Sequence, residues 1–388
     1  MQVETERRDA RRYLTRLIIF VAPVLLLFTP PLAVLQLGGE VAGLDVEQVV
    51  VDQRESSGRR ETLYGLAYSE CAVSYKRASL AIRTPEVLVL GTSRVLQFRS
   101  EFFRDPSVVY NAGRAIRRLR HLQQFLDAVP ESAWPRLLIL GLDQNFFNPA
   151  WDAGGDDIYR RELRGCGDTL ELLQRSWRSI YGDFTAGKLP IDELVTSDIG
   201  RIGLTARLRN GGFRADGSYQ YDAERIDRYA SGHPHFEFAD TMARIAGRRS
   251  RFKPAVRTSG HSASTLRALG DRLAAAGVHV VAFLPPFPPS VVEALSATGD
   301  YGYLTQLPSV VREALPAATF VDYTDISDWG ATDDDDVDGI HCSERTYSRL
   351  LGDLARRDVR LGAHVDVPHL VRIIARGEHP MLVLPRDD

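Results

Sequence analysis

A single serine stands directly after a continuously apolar run of the chain. Residues 87–90, VLVL, are β-favouring and predict a strand buried on both faces of a parallel sheet, and Gly91-Thr92-Ser93-Arg94 follows as a tight turn. Functional groups of open α/β sheets collect at the carboxyl ends of the strands, so Ser93 stands where a nucleophile would stand. The alternative is structural, because Thr92 or Ser93 is also suited to cap a following helix.

A second pair of reactive side chains lies near the C-terminus. Asp338 and His341 are three residues apart in DGIH, just before a helix that Ser343 is suited to cap. A serine hydroxyl is a poor nucleophile until a base takes its proton, and histidine titrates near neutrality. An aspartate beside that histidine would fix its tautomer and stabilise the imidazolium. The expected roles are therefore Ser93 as nucleophile, His341 as base and Asp338 as the orienting carboxylate.

Small and polar residues follow two further apolar runs. Asn111-Ala112-Gly113 is a small-residue turn that opens a helix, so the Gly113 N–H is suited to face a bound anion. The run LLILG leads into Asp143 and Asn145. We expect these residues at the same edge of the sheet as Ser93.

The elements that must position these residues alternate between strands and helices. Predicted strands are Val87–Gly91, Val108–Asn111, Leu137–Leu142, Val278–Leu284 and Thr319–Tyr323. Predicted helices are Ile116–Ala128, Ser262–Ala275, Ser290–Ala297 and Ser343–Arg357. This alternation predicts an α/β fold with a parallel, doubly wound sheet and helices on both faces.

The remaining segments define the domain organisation. A first helix is predicted near Leu63–Ala78, and residues 150–260 are predicted to be an insertion with helices at Asp168–Tyr181 and Ile191–Leu208 and a turn-rich loop. The predicted divisions are a basic tail at 1–16, a membrane anchor at 17–37, a linker and lead helix at 38–80, the α/β domain at 81–362 and a C-terminal tail at 363–388.

The N-terminal segment is long and apolar enough to cross a bilayer. Leu17–Leu35 holds no charged residue, and about 20 residues of helix cross the hydrocarbon core. The arginines before it are Arg7, Arg8, Arg11, Arg12 and Arg16. The positive-inside rule then predicts a single-pass protein of the inner membrane, with a cytoplasmic N-terminus and an exported main domain. A cleaved signal peptide is the competing interpretation, but the apolar run exceeds the usual core of such peptides.

Composition narrows the classes of partner. The 388 residues are 44% hydrophobic and 26% charged with a net charge of −3, which does not favour nucleic-acid binding. Three cysteines in an oxidising compartment allow one disulfide, and the sequence does not choose the pair. His233, His235 and Glu237 form an alternating pattern that we interpret as a surface loop, so neither a metal nor a cofactor is expected.

The ordered set of motifs resembles the SGNH hydrolase superfamily, whose sheet is flavodoxin-like. The matching blocks are Gly91–Arg94, Asn111–Gly113, Gly141–Asn145 and Asp338–His341. The resemblance covers roughly residues 85–145 and 275–355. It looks like the membrane-anchored branch, with proteins similar to those of alginate O-acetylation and teichoic acid D-alanylation. Gly212–Ser218, GFRADGS, is also similar to a segment of such proteins.

The resemblance implies an exported, membrane-anchored serine acyltransferase that forms an acyl-enzyme. Its substrates would be O-acyl groups, chiefly O-acetyl, of a cell-envelope polysaccharide, and a membrane-bound O-acyltransferase would be its partner. Two alternatives stay open: a periplasmic carbohydrate esterase or deacetylase with the same catalytic residues, and a non-catalytic SGNH-like binding or assembly protein.

The implied oxyanion hole joins the backbone N–H groups of Ser93 and Gly113 with a third donor. The family has an asparagine where this chain has Asp143, and an ionised carboxylate cannot donate a hydrogen bond. Asn145 supplies the donor, or Asp143 is protonated, or Asp143 has another role such as positioning Arg94. We favour a structural Asp143 with Asn145 as the donor. Candidate substrate contacts are Arg94, Asp143 and Arg114.

Overall fold

A five-stranded parallel sheet forms the centre of the computed structural model, which describes residues 2–56, 61–195, 200–222, 225–226, 238–377 and 379–385. The strands of the described part are β1 Leu63–Tyr64, β2 Val87–Leu90, β3 Val109–Ala112, β4 Leu137–Gly141, β5 Arg201–Ile202, β6 Gly212–Phe213, β7 Tyr219–Gln220, β8 His279–Leu284 and β9 Thr319–Asp322. The central sheet has the order β3-β2-β4-β8-β9, with every pairing parallel. In chain terms this is 2-1-3-4-5, one of the two common doubly wound orders.

Helices cover both faces of this sheet. The α-helices of the described part are α1 Gln2–Leu37, α2 Val46–Glu55, α3 Ala72–Arg83, α4 Leu119–Asp127, α5 Pro149–Asp152, α6 Asp157–Arg164, α7 Thr169–Thr185, α8 Ile191–Val195, α9 Leu204–Arg209, α10 Phe238–Ala246, α11 Gly260–Ala275, α12 Pro289–Thr298, α13 Leu307–Ala314, α14 Glu344–Arg357, α15 Val359–His364 and α16 Val367–Arg376. Leu88 and Leu90 of β2 point into the core beneath α3, α4 and α11–α13. Val87 and Val89 point into the core beneath α14–α16. The continuous apolar pattern of β2 thus reflects burial on two sides, and the expected α/β class is confirmed.

The predicted central elements are confirmed to within a few residues, whereas two predicted helices outside them are wrong. Within the segment predicted as a helix near Leu63–Ala78, the chain forms β1 and then begins α3 at Ala72. The predicted helix Ile191–Leu208 contains α8, β5 and α9. The physical reason is long-range pairing, because β1 lies parallel to β5 across this insertion. Local periodicity carries no information about such a partner.

A second, four-stranded sheet supports the central sheet from the side, with the order β5-β1-β6-β7. The GFRADGS segment, predicted as part of a turn-rich loop, forms the β6–β7 hairpin. The Asp216 carbonyl at its tip accepts a hydrogen bond from the Asn111 N–H at 2.8 Å. The buried Lys76 ammonium donates to the carbonyls of Asn111, at 2.9 Å, and Gly217. The hairpin therefore fixes the end of β3, where the Asn111–Gly113 turn begins.

The segment predicted as a C-terminal tail is packed onto the domain. Helix α16 packs against α14, and Leu370 of α16 is buried in the core beneath that face of the sheet. The Val383 N–H donates to the Glu344 carboxylate at 2.9 Å. This end of the chain therefore covers the face that carries α14.

One described helix is long and apolar enough to span a membrane, the 27-residue stretch Arg11–Leu37 of α1. Its apolar side chains are exposed over much of their length, whereas Leu35 is fully buried near α7, α8 and α9. The Tyr181 hydroxyl of α7 donates to the Leu27 carbonyl at 2.9 Å. The insertion thus holds the C-terminal end of α1 against the domain.

We predict that Gly217→Ala destabilises the protein by about 2–5 kcal/mol, the sum of a left-handed backbone and an overpacked contact. Gly217 has φ +81°, and an added Cβ would overlap the Asn111 carbonyl. The matched control is Gly277→Ala, with φ +74° and nothing within 4 Å of the added Cβ. It should cost only about 1–2 kcal/mol. Thermal unfolding of the detergent-solubilised chain measures both; equal costs would contradict the close packing of the hairpin.

Candidate active site

The serine turn begins where β2 ends. Residues Ser93–Val95 form a 3₁₀ turn, and the Thr92 hydroxyl oxygen accepts from the Arg94 N–H at 3.2 Å. The capping role therefore falls to Thr92. The Ser93 hydroxyl instead lies 2.8 Å from Nε2 of His341, within hydrogen-bond distance.

The histidine turn completes a chain of three side chains. Nδ1 of His341 lies 2.9 and 2.8 Å from the two carboxylate oxygens of Asp338. The backbone N–H groups of Ile340 and His341 also donate to that carboxylate, at 3.0 and 2.9 Å. Burial raises the pKa of Asp338, but the imidazole and these hydrogen bonds outweigh it and hold the pKa below its ordinary value. Asp338 is thus kept as a carboxylate beside the imidazole.

This arrangement can perform nucleophilic catalysis. With Nδ1–H donating to Asp338, Nε2 of His341 is free to accept the hydroxyl proton of Ser93. Ser343 caps α14 as predicted, accepting from the Thr346 N–H at 3.2 Å, which fixes the helix directly after the histidine turn. Ser93, His341 and Asp338 are therefore brought together from segments 248 residues apart in sequence.

Asp143 lies beneath the serine turn and forms no hydrogen bond or ion pair with His341 or Arg94. It is 1% exposed, and its two oxygens accept from the Thr92 hydroxyl at 3.0 and 2.9 Å. Nη1 of Arg251 lies 3.6 Å from one of them. Of the roles considered from sequence, the structure supports a structural one through Thr92, and the proposed pairing of Asp143 with Arg94 is not formed.

The expected oxyanion donors differ in where they point. As the first residue of a 3₁₀ turn, Ser93 has an N–H without an intrahelical acceptor. The Gly113 N–H, by contrast, donates to the Asn111 side-chain carbonyl at 2.7 Å. Asn145 lies after β4 and lines the cavity that contains Ser93. The structure therefore brings Ser93 and Asn145 to one cavity and engages the Gly113 N–H elsewhere.

Arg94 is buried, is hydrogen-bonded to several segments and does not line the cavity. The residue is 1% exposed, and its guanidinium lies 4.2 Å from the ring centre of Phe287. It donates to the Gln144 side chain at 2.6 Å and to the Ile340 carbonyl at 3.1 Å. The carbonyls of Pro285 and Pro286 also accept from it. The substrate contact expected from sequence is thus corrected to a positioning role, because every arm of the guanidinium is engaged by protein.

Arg114 lies at the rim of the cavity. Its guanidinium is 3.0 Å from the Glu70 carboxylate, and its backbone has a left-handed φ of +68°. Non-glycine residues rarely adopt this conformation, and such strain is found preferentially at functional sites. Arg114 therefore lines the cavity that contains Ser93, and its contact with a substrate stays a prediction.

The cavity has a volume of about 470 Å³ and is lined by Ser93, by Thr92, by side chains of the insertion and by the disulfide region. Cys71 and Cys166 form the disulfide, with their Cα atoms 5.1 Å apart. Cys342 is a buried thiol, and burial raises its pKa. The disulfide joins the insertion to the segment before α3 and so fixes one wall of the cavity.

Two features missed from the sequence belong to this site. Arg251 comes from the insertion, and its Nη1 lies 3.6 Å from Asp143. In the sequence it is one arginine of an arginine-rich stretch, and nothing else there distinguishes it as a site residue. The sequence predicts Thr92 as a possible helix cap, whereas the hydrogen bond from its hydroxyl to Asp143 is evident only in the structure. Among the described residues, no cluster of three or more His, Cys, Asp or Glu side chains could hold a metal. His233, His235 and Glu237 lie outside the described residues.

Comparisons with protein-family models and with curated proteins find no match to this chain. The chemistry of the site is therefore argued from its own residues: a serine, a histidine and an aspartate in one hydrogen-bonded chain at the carboxyl edge of a parallel sheet.

We predict that Arg94→Lys slows labelling of Ser93 by a fluorophosphonate and lowers the free energy of unfolding by about 3 kcal/mol or more, because an ammonium cannot reproduce the guanidinium fork in a buried site. Labelling rates and thermal unfolding measure the two effects. Arg357→Lys is the control, since Arg357 is 55% exposed and pairs with Asp353 of its own helix. Labelling and stability equal to the unaltered protein would refute the positioning role of Arg94.

Proposed function

We propose that this protein is an exported, membrane-anchored serine acyltransferase of the SGNH type. The single observation that carries the proposal is the hydrogen-bonded chain Ser93–His341–Asp338. These are the residue types, in the contact order, that convert a serine hydroxyl into a nucleophile. The cavity above Ser93 gives an acyl group access to it.

The proposed reaction has two half-reactions. The Ser93 oxygen attacks the acyl carbonyl carbon while its proton passes to Nε2 of His341, and the carbonyl electron pair moves onto oxygen. The tetrahedral intermediate collapses, the bond to the leaving alcohol breaks, and His341 returns the proton to the leaving oxygen. An acceptor hydroxyl then loses its proton to His341 and attacks acyl-Ser93. Transfer of that proton to the serine oxygen regenerates the free enzyme.

The strand order supports assignment to the SGNH type. The sheet has the flavodoxin-like order, with Ser93 after its first strand and Gly113 after its second. Asp143 and Asn145 follow the third strand, and Asp338–His341 precedes helix α14. The departure at Asp143 is accommodated by its contact with Thr92, which leaves Ser93 unobstructed.

Transfer to a cell-envelope polysaccharide is favoured by the membrane-length helix. Helix α1 is long and apolar enough to cross a bilayer, and as an anchor it would hold the domain where a membrane-bound O-acyltransferase would supply acyl groups. The arginines before the apolar run favour a cytoplasmic N-terminus and an exported domain. A periplasmic carbohydrate esterase would use the same three side chains with water as acceptor, so the acceptor is decided by experiment.

We predict that detergent-solubilised full-length protein, incubated with para-nitrophenyl acetate, gains one acetyl group on Ser93. Intact-mass and peptide-mass analysis measure the increment, which Ser93→Ala should abolish. The control Ser264→Ala removes an exposed hydroxyl of α11 and should acetylate normally. Adding polysaccharide acceptors or water alone then distinguishes transferase from esterase by the fate of the acetyl group. Absence of any increment on the unaltered protein would favour the non-catalytic binding role.

We predict that alkaline phosphatase fused after Asp388 is active in cells, because the positive-inside rule exports everything after α1. Enzymatic activity of the fusion in intact cells, compared with that of a cytoplasmic fusion, measures the orientation. The intact mass of the protein recovered from the membrane fraction should show that residues 1–37 are still present. An inactive fusion would refute export, and loss of the N-terminal residues would show a cleaved signal peptide in place of the anchor.

A further inference from the structure

One half-buried cationic group in the Ser93 cavity makes no hydrogen bond to the residues that the structure describes. Arg251 lies in the 3₁₀ turn Ser250–Phe252, lines the same cavity as Ser93 and has a side chain that is 19% exposed. Its Nη1 atom is buried and makes no hydrogen bond within the described part of the chain. Its nearest carboxylate, Asp143, is 3.6 Å away, beyond hydrogen-bond distance. The guanidinium thus keeps an N–H available for a ligand.

The backbone around Arg251 is strained and anchored on both sides. Arg248 and Ser250 have left-handed φ values of 51° and 57°. Such conformations are costly for non-glycine residues and persist where the surroundings impose them. Arg248 is held by Asp300 at 2.8 Å, and the Phe252 carbonyl accepts from the Tyr301 hydroxyl at 2.8 Å. This turn therefore presents Arg251 in a fixed direction.

The site lacks a donor where acyl-transfer chemistry needs one. A tetrahedral intermediate carries an oxyanion that several preorganised donors stabilise. The Gly113 N–H is engaged by Asn111. Asp143 accepts from the Thr92 hydroxyl through both of its oxygens and has no amide donor. Ser93 and Asn145 remain, so the hole has room for a third donor.

The charge of Arg251 suits that role. Burial lowers the pKa of its guanidinium, while the carboxylates of Asp143 and Asp338 act in the opposite direction. Arg94 and Arg244 are the neighbouring cations that lower it further. An arginine nonetheless stays protonated in proteins, so a cation lines the cavity that contains Ser93. In a partly water-excluded cavity such a group acts more strongly than in bulk water.

We propose that Arg251 is a catalytic residue whose guanidinium donates a hydrogen bond to the oxyanion formed at the acyl carbon on Ser93, while its buried Nη1 stays beside Asp143. Asp143 is its positioning residue, holding the guanidinium near the serine turn while it accepts from Thr92. The pair of Arg251 and Asp143 thereby replaces the single asparagine donor. This inference rests on the proposed acyl-transfer function.

The test uses full-length protein in detergent with para-nitrophenyl acetate as substrate and phenylboronic acid as a probe. The boronic acid forms a tetrahedral anionic adduct with an active serine and so reports on the oxyanion site. Arg251→Ala should lower kcat by about 10²–10³-fold, the usual loss for one such donor, with KM unchanged. It should weaken boronic acid binding by a similar factor. Arg251→Gln, which keeps part of the side-chain length and supplies a neutral amide donor, should lie between Arg251→Ala and the unaltered protein.

A double-mutant cycle separates donation from packing. Asp143→Asn alone should slow the reaction, because it releases Arg251. In the Arg251→Ala background the same change should restore part of kcat and of boronic acid binding, since the new amide can donate. Arg267→Ala, an exposed arginine of α11, is the control and should leave both unchanged. Thermal unfolding shows whether each variant is folded.

The possible outcomes distinguish this inference from the proposed function. If the unaltered protein forms no acetyl-Ser93, both fall. If it does, and folded Arg251→Gln and Arg251→Ala retain kcat and boronic acid affinity, only the role of Arg251 falls. A change confined to KM would likewise overturn donation to the oxyanion. A kcat loss without recovery in the double variant would overturn the pairing with Asp143.

Discussion

The site depends on holding two turns together that lie far apart in the chain. Ser93 and His341 are separated by 248 residues but meet across one hydrogen bond. Arg94, the residue after Ser93, connects the two turns, because its guanidinium donates a hydrogen bond to the carbonyl of Ile340, directly before His341. A buried guanidinium satisfied by carbonyl and amide dipoles has one low-energy position, so it fixes the spacing of the two turns.

A buried ionic network also connects the segment after the serine turn to helix α14, farther from the cavity. Arg99, just beyond the serine turn, pairs at 3.0 Å with Glu344 in the first turn of α14. The Ser100 N–H donates to Asp216 of the β6–β7 hairpin at 2.7 Å. The nearby carboxylates outweigh burial and raise the pKa of Arg99, so its guanidinium stays charged. Serine turn, histidine helix and hairpin are thus joined by groups that would be costly to leave unpaired.

The insertion between β4 and β8 links the membrane-length helix α1 to the cavity. Its helix α7 packs along the C-terminal part of α1, with Trp177 against Phe28. The same insertion supplies Cys166 to the disulfide and Arg251 to the serine cavity. One segment therefore positions the domain against its apolar helix and also shapes the space above Ser93.

The sequence by itself determined the central sheet, its helices, the membrane-length segment and the identity of Ser93, Asp338 and His341 as partners. Buried parallel strands are continuous apolar runs, and functional groups follow their carboxyl ends. A short stretch of sequence is therefore enough to predict both the strands and the residues at their ends. Tertiary structure alone decided the small sheet, the Cys71–Cys166 pair, the engagement of the Gly113 N–H and the approach of Arg251 to Asp143. Each of these is a contact made with a segment far along the chain or within a turn. The periodicity of side chains along one segment does not say which atoms will meet there.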